Sequence, residues 1–242
     1  MSKNRKPRKG LKITLISISV LILLIVAGFI IYTGDYYHSE RAVDLTLTSL
    51  QGEGRVQQKN NLTIIYPKEK SEIGLIFYPG GKVEETAYIP LLSKLSEQGI
   101  TCVLVRMPFH LAVFGVNSAE PVYDLVPEVT QWYLGGHSLG GAMASSYVGK
   151  HEEDLKGLIL LGAYPVKDSI LPTLAIYGSE DKVLNKDKLT LAKTKVEIAG
   201  GNHAYYGNYG EQKGDGIATI SREEQQNQCV ELISKFIQSR TE

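Results

Sequence analysis

Cysteine is scarce in this sequence, with only Cys102 and Cys229 among 242 residues. Neither lies in a motif that would make it a zinc ligand or a nucleophile, which argues against cysteine chemistry. Cys102 falls in an apolar, strand-like run and Cys229 in a late helical segment, a placement that favours two buried free thiols. Pairing of the two stays open, because a sequence does not give the Cα separation that a disulfide requires.

Net charge is also absent, but basic and acidic residues are unevenly distributed. Six basic residues and no acidic ones fall within residues 1–12. The rest of the chain has 20 basic and 26 acidic residues, a net charge of −6. A body of this sign lacks the basic face that replaces phosphate counterions, so no nucleic-acid partner is expected. The apolar content of 43% and charged content of 21% are ordinary for a globular protein.

No charged residue interrupts residues 13–32, ITLISISVLILLIVAGFIIY. A helix of this length spans about 30 Å, the thickness of the hydrocarbon core of a membrane. A cleaved signal peptide would have a shorter apolar region followed by an Ala-x-Ala pattern, whereas Ala27-Gly28 precedes Phe-Ile-Ile-Tyr. A buried core helix is disfavoured by the adjoining basic cluster. We therefore expect an uncleaved signal anchor, crossing the cell membrane once.

The positive-inside rule orients this anchor. The basic residues 1–12 form a cytoplasmic tail, and the chain from about Thr33 onward lies outside the cell. Residues 33–58 are interpreted as a stalk with a leading edge strand, because Val43-Asp-Leu-Thr-Leu alternates. Residues 59–242 remain as one domain of ordinary size.

Strand-like and helix-like segments take turns through this domain, which predicts an α/β fold with a doubly wound, mostly parallel sheet. The predicted strands are 62–66, 73–78, 101–105, 131–135, 157–161, 173–177 and 195–198. The predicted helices are 84–98, 119–129, 139–150, 185–192 and 222–238. In open sheets of this kind chemistry collects at the carboxyl ends of the strands, so the loops there contain the candidate site residues.

Ser138 stands in one of these loops, within Gly136-His-Ser-Leu-Gly140. A strand precedes it and a helix follows it, which is the setting of a nucleophile elbow. Gly136 and Gly140 are small where the strand and helix backbones nearly touch. The pattern lacks the spacing and the Lys-Ser/Thr pair of a phosphate-binding loop. Ser138 is therefore the predicted nucleophile.

A serine needs a base and an acid that orients the base. His203, in Gly200-Gly-Asn-His, follows the last predicted strand and is the predicted base, because the acid and then the histidine follow a nucleophile elbow along the chain. Asp181, in the loop after strand 173–177, is the predicted acid. Glu180 and Asp168 are alternatives for this role. His137 is assigned to local packing, because its side chain should diverge from the Ser138 hydroxyl.

The oxyanion hole is predicted from two backbone segments. The N–H of Leu139, directly after the nucleophile, is one donor. The second should come from Pro79-Gly-Gly-Lys82, where Gly81 is the first candidate and Lys82 the second. An ordinary Pro-Gly turn is the alternative interpretation of this loop.

The order of three motifs resembles the α/β-hydrolases: GHSLGG (136–141), GSEDKV (178–183) and GGNH (200–203). Within that family, four segments together resemble a bacterial subgroup of small membrane-anchored or secreted serine hydrolases loosely related to the dienelactone hydrolases. These segments are Tyr78-Pro-Gly-Gly-Lys-Val83, Met107-Pro-Phe109, Trp132–Gly141 and Gly201–Gly216. The resemblance implies Ser138, Asp181 and His203 as the triad, with no metal and no cofactor. Two departures are Pro79-Gly80 in place of His-Gly, and serine where the better-known dienelactone hydrolases use cysteine. Their substrate therefore does not transfer.

Between strands 157–161 and 173–177 only about a dozen residues remain, so no sizeable lid is expected. An open site fits a small or polymer-attached ester. Five residues are candidates for the pocket wall: Phe109, His110, Phe114, Tyr205 and Tyr206. Asp215 could belong to the wall or to a surface turn. We expect a carboxylesterase-like serine hydrolase; an acyltransferase, a peptidase and an inactive surface binding module are the alternatives.

Overall fold

The computed structural model describes residues 9–240, which divide into two compact units, one ending at Tyr36 and the other beginning at Tyr37. The first unit contains helix α1 (Lys9–Gly34). Within the described residues, Lys12–Gly34 is the one helical stretch long and apolar enough to cross a membrane. The apolar side chains of this stretch are exposed, whereas those of a core helix would be mostly buried. Its length and composition are compatible with either a membrane anchor or a signal sequence.

The second unit, residues 37–240 of the described chain, contains an eight-stranded sheet with helices on both faces. Its strands are β1 (Val56–Lys59), β2 (Leu62–Ile65), β3 (Ile73–Tyr78), β4 (Thr101–Val105), β5 (Gln131–His137), β6 (Gly157–Leu161), β7 (Thr173–Gly178) and β8 (Thr194–Ile198). Its helices are α2 (Ala42–Gly52), α3 (Ile89–Glu97), α4 (Glu120–Leu125), α5 (Leu139–Val148) and α6 (Arg222–Gln238).

The strands are ordered β1-β2-β4-β3-β5-β6-β7-β8 across the sheet. The pairs from β4 to β8 are parallel, whereas β1 and β2 pair in antiparallel fashion at one edge. The predicted doubly wound, mostly parallel sheet is confirmed. The chain reverses direction across the sheet beside β3, so the loops after β3 and β5 meet at its centre.

Two hydrophobic clusters cover the faces of the sheet, since successive strand residues point to opposite sides. Leu75 and Phe77 pack with α2, α3 and α6, whereas Ile76 and Tyr78 pack with α4 and α5. Cys102 and Cys229 both lie in the first cluster as buried free thiols, as expected from the sequence. The central strands are therefore buried on both faces, which fixes the positions of their carboxyl ends.

The interpretation of Val43-Asp-Leu-Thr-Leu as a leading edge strand is wrong, since residues 42–52 form α2. Val43 and Leu50 are buried and Leu47 packs against the same cluster, a helical spacing of four and three residues. Leu45, which an alternating strand would bury with them, is 76% exposed. This segment belongs to the unit that begins at Tyr37, and β1, absent from the sequence prediction, is the true edge strand.

Two of the predicted helices are shorter for a reason that involves proline. The helix predicted from residue 84 starts as a 3₁₀ turn (Glu85–Tyr88), and α3 begins at Ile89 with Pro90 in its first turn. Helix α4 ends at Leu125, and Pro127 disfavours helical geometry for the residue before it. The segment between β6 and β7, residues 162–172, contains neither helix nor strand in the described chain, so no lid covers this edge.

Candidate active site

Ser138 lies between the end of β5 and the start of α5 with φ 52° and ψ −121°. Residues other than glycine rarely adopt this backbone conformation, which costs about 1–3 kcal/mol of strain and persists only where the surrounding structure enforces it. A Cβ on Gly136 would lie 2.6 Å from the carbonyl carbon of Gly140. Strand and helix therefore approach too closely for any other residue, and the sharp turn projects the Ser138 side chain from the sheet.

His203 and Asp181 form a buried hydrogen-bonded pair from the loops after β8 and β7. The His203 Nδ1 lies 2.8 Å from the Asp181 Oδ2, and both side chains are almost completely inaccessible. The other carboxylate oxygen of Asp181 accepts the N–H groups of Val183 and Leu184 at 2.9 and 2.8 Å. Because a carboxylate only accepts, His203 donates from Nδ1 and its Nε2 has a lone pair available.

Ser138 and His203 line the same cleft, whose volume is about 260 Å³. The Nε2 of His203 is buried and has no hydrogen-bond partner among the described residues. The other lining residues are mostly small or apolar: Leu139, Ala142, Gly162, Ala163, Tyr164, Val183 and Leu184. A serine hydroxyl, an oriented imidazole and an apolar wall thus meet in one cleft, which is the arrangement needed for nucleophilic attack on a carbonyl.

The loop after β3 lies directly against the elbow. A Cβ on Gly81 would be 2.8 Å from the Leu139 side chain, so these two candidate oxyanion donors are neighbours. Leu139 is the first residue of α5, and its N–H therefore has no acceptor within the helix. The N–H of Lys82 instead donates to the His110 carbonyl at 2.8 Å. Between the two candidates in this loop, the geometry favours Gly81.

None of the five predicted pocket residues lines this cleft. Phe109 and His110 have left-handed backbones, with φ 55° and 54°, and line a separate cavity of about 450 Å³ beside Arg106. Phe114 packs edge-to-face on Phe109, with ring centroids 5.6 Å apart. The structure therefore does not bring these three residues into the lining of the cleft, and the sequence prediction for them is corrected.

The two tyrosines after His203 are used elsewhere. Tyr206 is completely buried in the first core cluster, where its ring lies 5.5 Å from that of His137. Tyr205 packs under the Arg222 guanidinium, 5.1 Å from the ring centroid. The prediction that they line the pocket is therefore also corrected, and Tyr164, Val183 and Leu184 line it instead.

The alternative acids do not contact His203. Glu180 accepts a hydrogen bond from the Ser179 hydroxyl at 3.0 Å, and Asp168 is exposed, accepting the Ser169 N–H. Asp215 neither lines the cleft nor stands alone at the surface. It accepts the N–H of Ala204 at 2.9 Å and that of Gly216 at 2.7 Å. Asp215 thus stabilises the backbone directly after His203.

Two further contributors to the site, Gly162 and Gln225, were also missed by sequence reasoning. A Cβ on Gly162, which has φ 51°, would lie 2.8 Å from His203 Nδ1. Gln225, completely buried on α6, accepts the Asn202 N–H at 2.9 Å and donates to the Asn202 carbonyl at 2.8 Å. The position of Gly162 directly after a strand was a usable signal for a close approach. Gln225 gave none, because its partner is 23 residues away.

His137 is buried beside His203, with ring centroids 4.6 Å apart. Burial, and secondly the charge of His203, lower the pKa of His137 well below its usual value, against an opposing contribution from the His203 backbone. His137 is therefore neutral at ordinary pH. Within the described residues, no cluster of three or more His, Cys, Asp and Glu side chains forms a candidate metal site.

Comparison with known proteins identifies the family and the fold. A sequence profile described as the alpha/beta hydrolase family matches residues 74–227. No match was obtained among curated protein sequences. Similar solved structures include Est1E from Butyrivibrio proteoclasticus, with 16% identity, 75% of this chain and 98% of that chain covered, and a TM-score of 0.54.

Two other similar structures are a dienelactone hydrolase from Anabaena variabilis and MGS-MChE2, an alpha/beta hydrolase enzyme from the metagenome of sediments of the Mar Chica lagoon, Morocco. Both are 14% identical to this chain, and the match covers 77% of this chain and 99% of theirs, with TM-scores of 0.56 and 0.58 respectively. At these identities the similarity establishes a shared fold.

Proposed function

Because the chain belongs to the alpha/beta hydrolase family, we propose that it is a serine hydrolase that cleaves a carboxylic ester through an acyl-enzyme. The observation that carries the proposal is the cleft lined by both Ser138, in its strained elbow, and His203, whose Nε2 has no hydrogen-bond partner among the described residues. The buried Asp181 carboxylate holds the opposite nitrogen of the same imidazole. Ser138 is the nucleophile, His203 the base and Asp181 the orienting acid.

The reaction follows from this arrangement. His203 Nε2 removes the hydroxyl proton of Ser138 as Oγ attacks the ester carbonyl. The N–H groups of Leu139 and Gly81 stabilise the oxyanion that forms, and the N-terminus of α5 adds its dipole. The imidazolium then protonates the leaving alcohol, and an acyl-serine remains. Water, deprotonated by His203, attacks this ester, releases the acid and regenerates Ser138.

The cleft supports a short, apolar acyl group on a small or polymer-attached ester. Its volume of about 260 Å³ is modest, and Ala142, Ala163, Val183 and Leu184 provide most of an apolar wall. The segment 162–172 forms no helical lid, so one side of the site stays open. An open side admits an alcohol portion of any size, while the wall limits the acyl portion.

The location of this activity is part of the same proposal. Helix α1 anchors the protein in the cell membrane with its basic N-terminus in the cytoplasm, which puts the hydrolase unit outside. Protease added to intact bacterial cells that produce the full chain should then degrade the hydrolase unit. Protection in intact cells, followed by digestion after lysis, would contradict this orientation. Recovery of a shortened, soluble chain from the medium would indicate a cleaved signal.

The central test is labelling of the full chain, in detergent, with a fluorophosphonate. One adduct on the wild type and none on Ser138→Ala is expected, because only an activated serine reacts. Ser146→Ala, in helix α5 directly after Ser138, is the matched control and should label normally. A folded wild type that takes no label would overturn the mechanism. Labelling that persists in Ser138→Ala would show that another serine is the nucleophile. Hydrolysis of p-nitrophenyl acetate, with and without an added amine or alcohol, separates hydrolase from transferase.

A further inference from the structure

A continuous chain of buried hydrogen bonds connects the loop after β3 to the residue before the nucleophile. The N–H of Gly80 donates to the Tyr88 hydroxyl at 3.0 Å. The same hydroxyl lies 2.7 Å from Nδ1 of His137. Tyr88 follows β3 by ten residues and His137 ends β5, so the chain joins the two structural parts that form the oxyanion hole.

Proton inventory favours one direction for the hydrogen bond between Tyr88 and His137. The Tyr88 oxygen accepts from Gly80, so its single proton is available to His137. Burial raises the pKa of Tyr88, although the Gly80 N–H partly opposes this, and the phenol therefore stays protonated. His137 is neutral, as described above, and accepts at Nδ1. It is consequently the tautomer with its proton on Nε2.

The two backbone amides that flank Gly81 are both bonded, one to Tyr88 and one to His110. Gly80 N–H donates to Tyr88, and Lys82 N–H donates to the His110 carbonyl. The Gly81 N–H has no hydrogen-bond acceptor among the described residues. The chain of hydrogen bonds from Gly80 to His137 therefore holds in place the peptide that carries the second candidate oxyanion donor.

Packing leaves this arrangement little freedom. A Cβ on Gly80 would lie 2.8 Å from both the Tyr88 hydroxyl and His137 Nδ1. The Tyr88 side chain is completely buried, and its ring contacts those of Phe77 and Tyr209 at 5.2 and 6.4 Å between centroids. A rotation of the tyrosine would collide with these rings, so the hydroxyl has one position.

We propose that Tyr88 and His137 are positioning residues that fix the Gly81 N–H against the elbow through the chain Gly80 N–H, Tyr88 O–H, His137 Nδ1. This inference rests on the proposed function for its catalytic consequence. Neither side chain lines the cleft, and both are completely buried. They act on the transition state through the donor that they orient, because preorganised donors need no rearrangement when the oxyanion forms.

Tyr88→Phe in the full chain removes one oxygen and keeps the buried ring. We expect kcat for a p-nitrophenyl ester to fall about 10- to 100-fold with KM changed less than about threefold, since the donor acts mainly on the transition state. A trifluoromethyl ketone, whose adduct with Ser138 carries an oxyanion, should bind more weakly by the same factor as kcat/KM. Tyr209→Phe is the matched control, because its buried phenol belongs to the same ring cluster but donates to Gln212.

Substitutions of His137 provide a second series of kinetic measurements. His137→Asn retains an acceptor near the position of Nδ1, whereas His137→Leu does not, so Asn should retain about tenfold more kcat than Leu. The double variant Tyr88→Phe/His137→Leu should have a kcat no lower than that of His137→Leu alone, because both substitutions interrupt the same chain of hydrogen bonds. Additive losses in the double variant would contradict the proposal.

A measurement without substrate separates this inference from the proposed function. In the full chain labelled with ¹⁵N-histidine, the His137 resonances should show an unprotonated, hydrogen-bonded Nδ1 and a protonated Nε2. The Nδ1 resonance should shift in Tyr88→Phe and stay unchanged in Tyr209→Phe. The opposite tautomer would overturn the inference whether or not the protein hydrolyses esters. A correct tautomer together with full kcat and inhibitor affinity in Tyr88→Phe would also overturn it, leaving the proposed function intact.

Discussion

The Nδ1 of His203 lies 2.8 Å from the Asp181 Oδ2, and this pair is sealed from solvent although its members are 22 residues apart in the chain. The two backbone N–H groups on the other carboxylate oxygen hold the acid in one orientation. The pair thus holds the His203 imidazole, which lines the cleft, in a single tautomer. This relationship gives the proposed base a defined orientation.

Asp181→Asn is expected to lower kcat about 10³- to 10⁴-fold, since an amide in this position stabilises the wrong tautomer of His203. The fold should persist, because the Asn oxygen can still accept the N–H groups of Val183 and Leu184. Steady-state kinetics with thermal unfolding measure both effects. Asp168→Asn, exposed on the neighbouring loop, is the control and should keep full activity. Retention of more than a tenth of kcat by Asp181→Asn would exclude Asp181 as the orienting acid.

Gly162→Ala should separate kcat from stability. The added Cβ would lie 2.8 Å from His203 Nδ1 and 3.2 Å from Asp181 Oδ2, so the imidazole must shift. We expect kcat to fall about 100-fold, as displacements near 1 Å do elsewhere. Gly99→Ala is matched, because Gly99 has φ 83° but nothing within 4 Å of its Cβ. It should lose only about 1–2 kcal/mol of unfolding free energy and keep kcat. Equal kcat in the two variants would refute the contact.

Ala142→Leu should shift the acyl preference toward shorter chains. Ala142 lines the cleft from α5, and leucine adds three carbon atoms to a space of about 260 Å³. The ratio of kcat/KM for p-nitrophenyl hexanoate to that for the acetate should drop about tenfold or more, within the range for added methylene groups in a pocket. Ala142→Ser, nearly equal in size, should leave the ratio unchanged. An unchanged ratio in Ala142→Leu would show that the acyl chain occupies another surface.

The neutral His137 predicts a specific pH dependence of stability. Its pKa is lowered in the folded protein, chiefly by burial, whereas in the unfolded chain it is near 6.5. Below about pH 6.5 the unfolded state therefore binds a proton that the folded state excludes, and the unfolding free energy falls as pH decreases, by at most about 1.4 kcal/mol per unit. Denaturant unfolding at pH 7.5, 6.5 and 5.5 measures the slope.

His137→Asn should remove this part of the slope, because asparagine does not titrate. His151→Asn is the control: His151 stacks on Tyr147, 4.1 Å between ring centroids, outside the cleft. A wild type and a His137→Asn variant with the same slope would mean that His137 is protonated in the folded state. That result would also remove the acceptor from the chain that begins at Gly80.

The elements predicted most accurately were those defined by local sequence. The bounds of β3, β4, β6 and α6 match the prediction, because apolar runs between turn residues, or a helix with Ser221 as its N-cap, specify themselves. The elbow is local as well: Gly136, Ser138 and Gly140 act within five residues. Helix α2 was misread because Val43-Asp-Leu-Thr-Leu satisfies both periods, and only its packing against α3 and the first core cluster selects the helical one.

The sequence by itself therefore determined the α/β order of elements, and it identified the elbow and the histidine and acid that follow it as candidates, since each is defined by spacing along the chain. The tertiary structure decided which residues line the cleft, because Tyr164, Val183 and Leu184 come from loops that only the sheet order brings together. It also decided that Tyr88 meets His137 across 49 residues. Such contacts depend on the position of neighbouring strands, which no local pattern contains.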